Sequence, residues 1–377
     1  MAIFADTRAS WLEREIPRQG AVLRRAAQTF AGPVDRVVRE ALTRGADDWV
    51  VTGCGDSLFA GLCAEVWFAQ GAGRRLRAVP AMELSRYLYE ALTPRSVVLA
   101  VSHSGNTARV VEAARAASSR GAYVVAVTAN PDSELVRTAS SWIDNSVHDE
   151  RSNCRTASYQ AVTALMRMLA ERVAQETGRG SARPVVVPAA AVAAFAEDAR
   201  SQVDTLDDAL LCGDHWIFSG AGLGHAAAQY GMAKMYEAAT VPAHVSELEQ
   251  MIHCEIFTVR PGTTVVVICP RGRALSRALE LADGLARLRA TALAITDDDE
   301  LADRCTAAVR LPAMLEEDLP FLAALPLQWL ALRVALSRGQ DPDLVANKHV
   351  NRPLIDNSRQ WRDEYQEEVN GTPAPTA

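Results

Sequence analysis

Hydroxyl side chains surround a glycine in Ser102-His103-Ser104-Gly105-Asn106-Thr107, and a smaller turn of the same kind, Gly53-Cys54-Gly55-Asp56-Ser57, lies earlier in the 377-residue chain. Ser102, Ser104 and Thr107 bring three hydroxyl donors to one loop, and Gly105 lets the backbone approach a ligand. A helix starting near Asn106 would add free amides and a positive dipole end. Such a loop suits a phosphate better than a sugar ring or a neutral ligand. Serine and threonine also cap helices with no ligand involved, so SHSGNT alone is open to both readings. Ser57 on a neighbouring loop moves the balance to phosphate.

The second chemical group lies in AKMYEAATVPAHVSELEQMIHCE, residues 233–255. Interconverting an aldose and a ketose needs a carboxylate to carry a proton between C1 and C2, and another group to open the sugar ring. Glu237 and His253 have the side chains for those tasks, whereas Glu247, Glu249 and Glu255 read as solvated carboxylates. His253 taken alone also reads as a structural histidine. Lys234 stands one turn before Glu237 and shares its face. Only Lys234 and Lys348 are lysine, against 37 arginines, which points to an ammonium that a guanidinium does not replace.

Strand-like apolar runs alternate with amphipathic helical runs, the pattern of parallel sheets covered by helices. The first set reads 49–53, 75–79, 96–102, 122–128 and 141–147. The second half repeats it: Trp49, Gly53 and Gly55 return as Trp216, Gly220 and Gly222, and Ser102 and Gly105 correspond to Cys269 and Gly272, at an offset of 167. A shared offset across separated strands indicates a duplicated domain. The expected fold is α/β, two tandem domains, each a five-stranded parallel sheet flanked by helices in a flavodoxin-like sandwich. The first domain is expected over 1–177 with its core from about 30, a linker over 178–188, the second domain over 189–345, and a C-terminal extension and tail over 346–377. Long helices are expected near 156–177, 189–210 and 317–338. CPRGRA, 269–274, replaces the hydroxyl loop in the second repeat, so one phosphate site per chain is expected.

Composition bounds the partners. A formal charge of -7 and the lack of a basic run interleaved with aromatics leave no positive field for nucleic acid. No apolar stretch is read as long enough to span a bilayer, and the start lacks the order of a signal peptide, so a cytoplasmic protein is expected. Seven scattered cysteines without a CxxC pair suit reduced thiols, with no metal site. GAGLGH, 220–225, is explained by the repeat and no Walker loop is present, so no cofactor is expected.

These residues resemble the sugar isomerase (SIS) domain family of phosphosugar-binding proteins, whose pattern is close to GCGTS and SQSGET. Ser57, Ser102, His103, Ser104 and Thr107 fall on the positions that hold sugar phosphate there, with Asp56, His103 and Asn106 as departures. The resemblance covers about residues 30–345, in the tandem arrangement of the isomerase half of glucosamine-6-phosphate synthase. It implies that Glu237 is the enolisation carboxylate and His253, 16 residues on, the ring-opening group. It also implies a homodimer in which His253 serves the neighbouring subunit's site. The family's EEFKHGP becomes SELEQMIHCE, with Cys254 for glycine, and its ExxVASTK loop becomes ERSNCRTA, 150–157. Arg155 thus replaces a small residue that touches the sugar, and Ala157 a lysine, which implies a changed substrate. Arg155 is open to pairing with a second anionic group, to stacking on a ring, or to facing solvent. In the C-terminal stretch 348–359, Ser358 stands where the synthase has a substrate-contacting lysine, and Lys348 is near but out of register.

The expected function is a phosphosugar isomerase acting on a phosphorylated sugar or amino sugar through an enediol or enolamine. The alternatives are an aminosugar-phosphate deaminase or deglycase, and a non-catalytic phosphosugar-binding regulator. Glutamine-dependent synthesis is disfavoured because no amidotransferase domain and no N-terminal cysteine nucleophile are read in the sequence.

Overall fold

In the first repeat the runs of valine and alanine become inner strands. Ser96–Val101 (β3) and Tyr123–Thr128 (β4) are buried at every position, as parallel strands covered on both faces must be. With Asp48–Gly53 (β1), Leu76–Pro80 (β2) and Ser141–Asp144 (β5) they form an all-parallel sheet ordered β2-β1-β3-β4-β5. The register pairs Asp48 with Ser96 and Gly53 with Pro80. The strand order reverses between β1 and β3, so the turns leaving these neighbours, those of Ser57 and Ser102, open side by side at the carboxyl ends of the strands. The structure is a computed structural model and describes residues 9–147, 149–180, 187–344, 353–354 and 358.

The second repeat has His215–Gly220 (β6), Ala243–Glu247 (β7), Thr263–Ile268 (β8), Thr291–Thr296 (β9) and Ala307–Arg310 (β10), in the matching order β7-β6-β8-β9-β10. The duplication reaches individual backbone angles. The helices Asp56–Trp67 and Leu223–Lys234 each start after a glycine with positive φ, Gly55 at 57° and Gly222 at 55°. A side chain would be strained at that angle even though nothing crowds either position. Both helices run into a π-turn, Phe68–Ala72 and Met235–Ala239, which ends on a left-handed residue, Gly73 or Thr240.

Most expected strand boundaries hold within a residue or two. The run expected over 141–147 stops at Asp144, which pairs with Thr128, the last residue of β4; Asn145 N makes the final rung to Thr128 O at 3.0 Å. The helix expected over 189–210 is two helices, Ala189–Asp204 and Asp208–Leu211, because Asp207 caps the second by accepting from Ala209 N. The other two long helices are Ala157–Glu176 and Leu319–Ser337.

One expectation is corrected. Residues Glu316–Ser337 are long and apolar enough, by length and composition, to cross a membrane. Their helix packs against Ala189–Asp204 and Leu223–Lys234, and 89% of the apolar window is buried inside the protein. A helix that is apolar all round is what a fully enclosed core position demands.

The described residues group into two compact units. One holds the first repeat, from Val22 to Asp149 and from Ser158 onward; the other joins the second repeat, from Pro188, to residues 9–21 and Glu150–Ala157. Two pieces that precede the 178–188 stretch therefore belong by contact to the second repeat. Of that stretch, 181–186 lie outside the described residues, as does most of 346–377, including Lys348.

Candidate active site

The phosphate-type loop follows β3. Ser102 Oγ and Thr107 Oγ1 are 2.8 Å apart and share a hydrogen bond, while Ser104 Oγ accepts from Asn106 N at 3.2 Å. Thr107 is the N-cap of the helix Ala108–Ser119, yet its side chain makes no capping bond. Simple helix capping therefore does not account for that hydroxyl, which turns back to Ser102. Gly105 has φ 66°, and a Cβ there would lie 2.2 Å from Ser133 Oγ, so the loop closes only over a glycine. His103 and Ser104 are exposed. The carbonyl of His103 accepts from Thr128 Oγ1 at 3.0 Å and from Ala129 N, which fixes the loop to the end of β4.

Ser57 lies in the first turn of the helix Asp56–Trp67. A Cβ on Gly53 would lie 2.8 Å from Ser57 Cβ and 3.1 Å from Val101 O, so the bare glycine lets Ser57 come up beside the end of β3. Ser57, Ser102, Ser104 and Thr107 thus lie on neighbouring turns at the carboxyl ends of β1 and β3.

The corresponding turn of the second repeat is bonded to carboxylates. Arg271 N donates to Asp297 Oδ1 at 2.6 Å and Arg271 Nε to Asp298 Oδ2 at 3.2 Å. Burial, joined by the charges of Glu316, Asp297 and Asp298, pushes the Cys269 thiol up to about 12. Carboxylates that disfavour a thiolate there disfavour a phosphate for the same reason.

The second group is built around a buried ammonium. Lys234 is fully buried; its Nζ donates to Glu237 Oε2 at 2.5 Å and to Arg155 O at 3.2 Å, and lies 4.7 Å from the centre of the Tyr230 ring. Tyr230 OH donates to the same Arg155 carbonyl at 2.8 Å. Glu237 sits in the π-turn with 35% of its side chain exposed, so the carboxylate is held on one oxygen and open to solvent. Burying an ammonium is costly unless it is paired and hydrogen-bonded, and here both conditions are met.

Arg155 brings its backbone carbonyl to this group, while its guanidinium pairs at 3.1 Å with the buried carboxylate of Glu150. His253 ends the helix Leu248–His253, 69% exposed, with Nε2 3.2 Å from Glu249. Among the described residues no hydrogen bond or ion pair joins His253 to Glu237. Three carboxylates expected to be solvated have partners: Glu247 caps the helix Leu248–His253, Glu249 pairs with Arg277, and Glu255 accepts from Ser246 Oγ. The Arg277 guanidinium holds the Glu249 carboxyl below the usual range.

Sequence reasoning passed over two members of the lysine site. Tyr230 lies one turn before Lys234, and that spacing was the available signal. Glu150 entered only as the start of a loop; its role depends on a turn that brings Thr156 N and Arg155 back to it.

The SIS domain family matches residues 44–172 and 209–338, one match on each repeat. Among curated proteins, the glutamine–fructose-6-phosphate aminotransferase of Zymomonas mobilis is 24% identical over 354 residues, 89% of this chain and 58% of the relative. The chain thus spans somewhat over half the length of that relative. The fold is also that of two solved structures. Glucosamine-6-phosphate deaminase from Thermotoga maritima has a TM-score of 0.71 at 22% identity, covering 89% of this chain and 97% of its own. Tagatose-6-phosphate ketose/aldose isomerase from Escherichia coli has 0.73 at 20%, covering 91% and 96%. With a matched domain on each repeat, together more than half of the chain, the chain belongs to the SIS domain family.

Proposed function

We propose that the protein is a phosphosugar isomerase of the cytosol that interconverts the aldose and ketose forms of a phosphorylated sugar or amino sugar. The observation that carries this reading is the fully buried Lys234 ammonium committed to one oxygen of the half-exposed Glu237 carboxylate. Lys234 fixes Oε2, and Oε1 is the oxygen we assign to proton transfer. It takes the proton from the carbon beside the carbonyl, leaving an enediolate; a proton passes from the hydroxyl oxygen to the former carbonyl oxygen, and the same carboxylate returns its proton to the former carbonyl carbon. No external oxidant or reductant is needed. Ser57, Ser102, Ser104 and Thr107 hold the phosphate, with the amides of the helix Ala108–Ser119 behind them.

We assign ring opening to His253 of a second copy in a homodimer. The support is its exposure and its lack of a bond to Glu237 among the described residues. Arg155 is neutralised by Glu150, so we assign it to hydrogen bonding with sugar hydroxyls rather than to a second phosphate. The test is incubation with fructose 6-phosphate, tagatose 6-phosphate and glucosamine 6-phosphate in deuterated water. Deuterium at C1 or C2 is expected, and ammonia release from the amino sugar would select the deaminase alternative. A protein that binds these compounds and exchanges no deuterium would be a regulator, and the isomerase reading would fall. Sedimentation of a fully active monomer would remove the shared site.

A further inference from the structure

Residues 150–156, ahead of the helix Ala157–Glu176, form neither helix nor strand, yet they deliver the carbonyl that organises the lysine site. Without a backbone ladder, its position depends on side-chain anchors. At the front, Glu15 Oε1 accepts from Arg151 N at 2.6 Å and from Ser152 N at 3.1 Å. At the back, Glu150 Oε1 accepts from Thr156 N at 2.6 Å and Thr156 Oγ1 at 3.2 Å. Arg155 O lies between these anchors. Glu15 ends the short helix Trp11–Glu15 and is 3% exposed. An apolar residue would fill that space at lower desolvation cost, so the carboxylate is there for the two amides that donate to it. Burial raises its pKa, followed in influence by the two amides that lower it.

A second route starts one turn further on. Gln19 and Gln328 exchange hydrogen bonds at 2.5 and 3.1 Å, Gln328 Nε2 donates to Tyr230 OH at 2.7 Å, and Tyr230 OH donates to Arg155 O. Asp343 steadies the segment by accepting from Trp11 N at 2.6 Å and from Asn153 Nδ2 through its carbonyl at 2.7 Å. Two neighbouring turns of the N-terminal segment therefore converge on one carbonyl.

We propose that Glu15 is a positioning residue for the Lys234–Glu237 pair, acting through the backbone of residues 150–157 to place the Arg155 carbonyl on the lysine. This rests on the role given to Glu237 above. Glu15 touches no substrate; it sets where the ammonium sits and thereby the direction of the carboxylate.

The chain supplies its own reporter, because only Lys234 and Lys348 carry ammonium side chains. With nitrogen-15 lysine, and Lys348→Arg to assign the signals, the Lys234 Nζ resonance reads the geometry of the site with no ligand present. Glu15→Ala is expected to shift or broaden that resonance. It should also lower kcat about 10-fold with KM within about 2-fold, measured on whichever of the three sugar phosphates the native protein turns over. Glu15→Gln keeps an acceptor oxygen and should restore both readouts. Should Glu15→Ala not fold, Glu15→Asp, which keeps the charge and shortens the reach, is read in the same way. A native Lys234 resonance and native kcat in the altered protein, with Glu237→Gln inactive, would overturn the proposal. If Glu237→Gln stays active, the functional reading fails instead, and the lysine resonance still decides whether Glu15 places Lys234.

Discussion

The two repeats share a backbone and divide the chemistry. Strand order, the glycine that opens the helix after the first strand, and the π-turn with its left-handed stop recur at an offset of 167. The side chains at those positions do not. Ser57, Ser102, Ser104 and Thr107 of the first repeat become Gly224, Cys269, Arg271 and Ala274 in the second. In the other direction, Lys234, Glu237 and His253 stand where the first repeat has Trp67, Gln70 and Arg86. Arg86 pairs at 2.8 Å with the buried Glu112, a structural contact. Backbone geometry thus makes positions available, and a few side-chain exchanges decide which copy carries the hydroxyl loop and which carries the ionic pair. The same turn is lined by hydroxyls in one copy and bonded to Asp297 and Asp298 through Arg271 in the other.

The sharpest way to break this comparison is at the π-turns. Glu237→Gln keeps the shape and removes the proton acceptor, so turnover should fall roughly 10²-fold to 10⁴-fold with phosphosugar affinity nearly unchanged. Gln70→Ala, at the matching place, should leave turnover within about 2-fold. Equal effects in steady-state kinetics would mean that the repeats are not specialised as described.

At the loops, Ser104→Ala and Thr107→Ala each remove a hydrogen bond to a charged group worth roughly 1.5–3 kcal/mol, and affinity should drop by about one to two orders of magnitude. Arg271→Ala should leave it unaltered. Calorimetric titration with a sugar phosphate separates the cases, and native affinity in both hydroxyl variants would move the phosphate elsewhere.

Glycine discriminates the loops more gently. Gly105→Ala forces a side chain into positive φ and onto Ser133, a cost of roughly 1–3 kcal/mol. Gly272→Ala meets only the end of the Glu316 side chain, at 3.0 Å, and should be milder. Denaturant unfolding of the two variants should show the larger loss for Gly105→Ala; the reverse order would contradict the loop geometry.

The smallest effect concerns thiols. Cys269 is held protonated until pH approaches about 12, so iodoacetamide at pH 8 should label the exposed Cys212 and Cys254 before it. Glu316→Gln removes a negative charge that disfavours the thiolate, so the Cys269 pKa should move down. Mass spectrometry of labelled peptides reads both, and prompt labelling of Cys269 in the native fold would mean that its turn is open and less acidic than described.

Much of this was legible in the sequence. Val-rich runs buried on both faces announce inner parallel strands such as β3 and β4 without a partner being known. Lys234 and Glu237 were paired by helical spacing, and Ser102, Ser104 and Thr107 are local to one loop. The helix Leu319–Ser337 shows the limit: its composition suits a membrane as well as a core, and only the helices packed around it separate the two. The neutralised state of Arg155 was likewise hidden, because its partner Glu150 is reached by a turn and not by a repeat period.

The sequence by itself determined the duplication, the strands and the pairing of Lys234 with Glu237, because these depend on short-range periodicity and on spacing within one element. Tertiary structure alone decided what anchors them. Glu15 and the segment 150–157 lie about 135 residues apart in the chain, and Gln19 and Gln328 about 309. Hydrogen bonds across such separations leave no periodic trace, since each needs only one donor and one acceptor brought within about 3 Å by the packing of everything between.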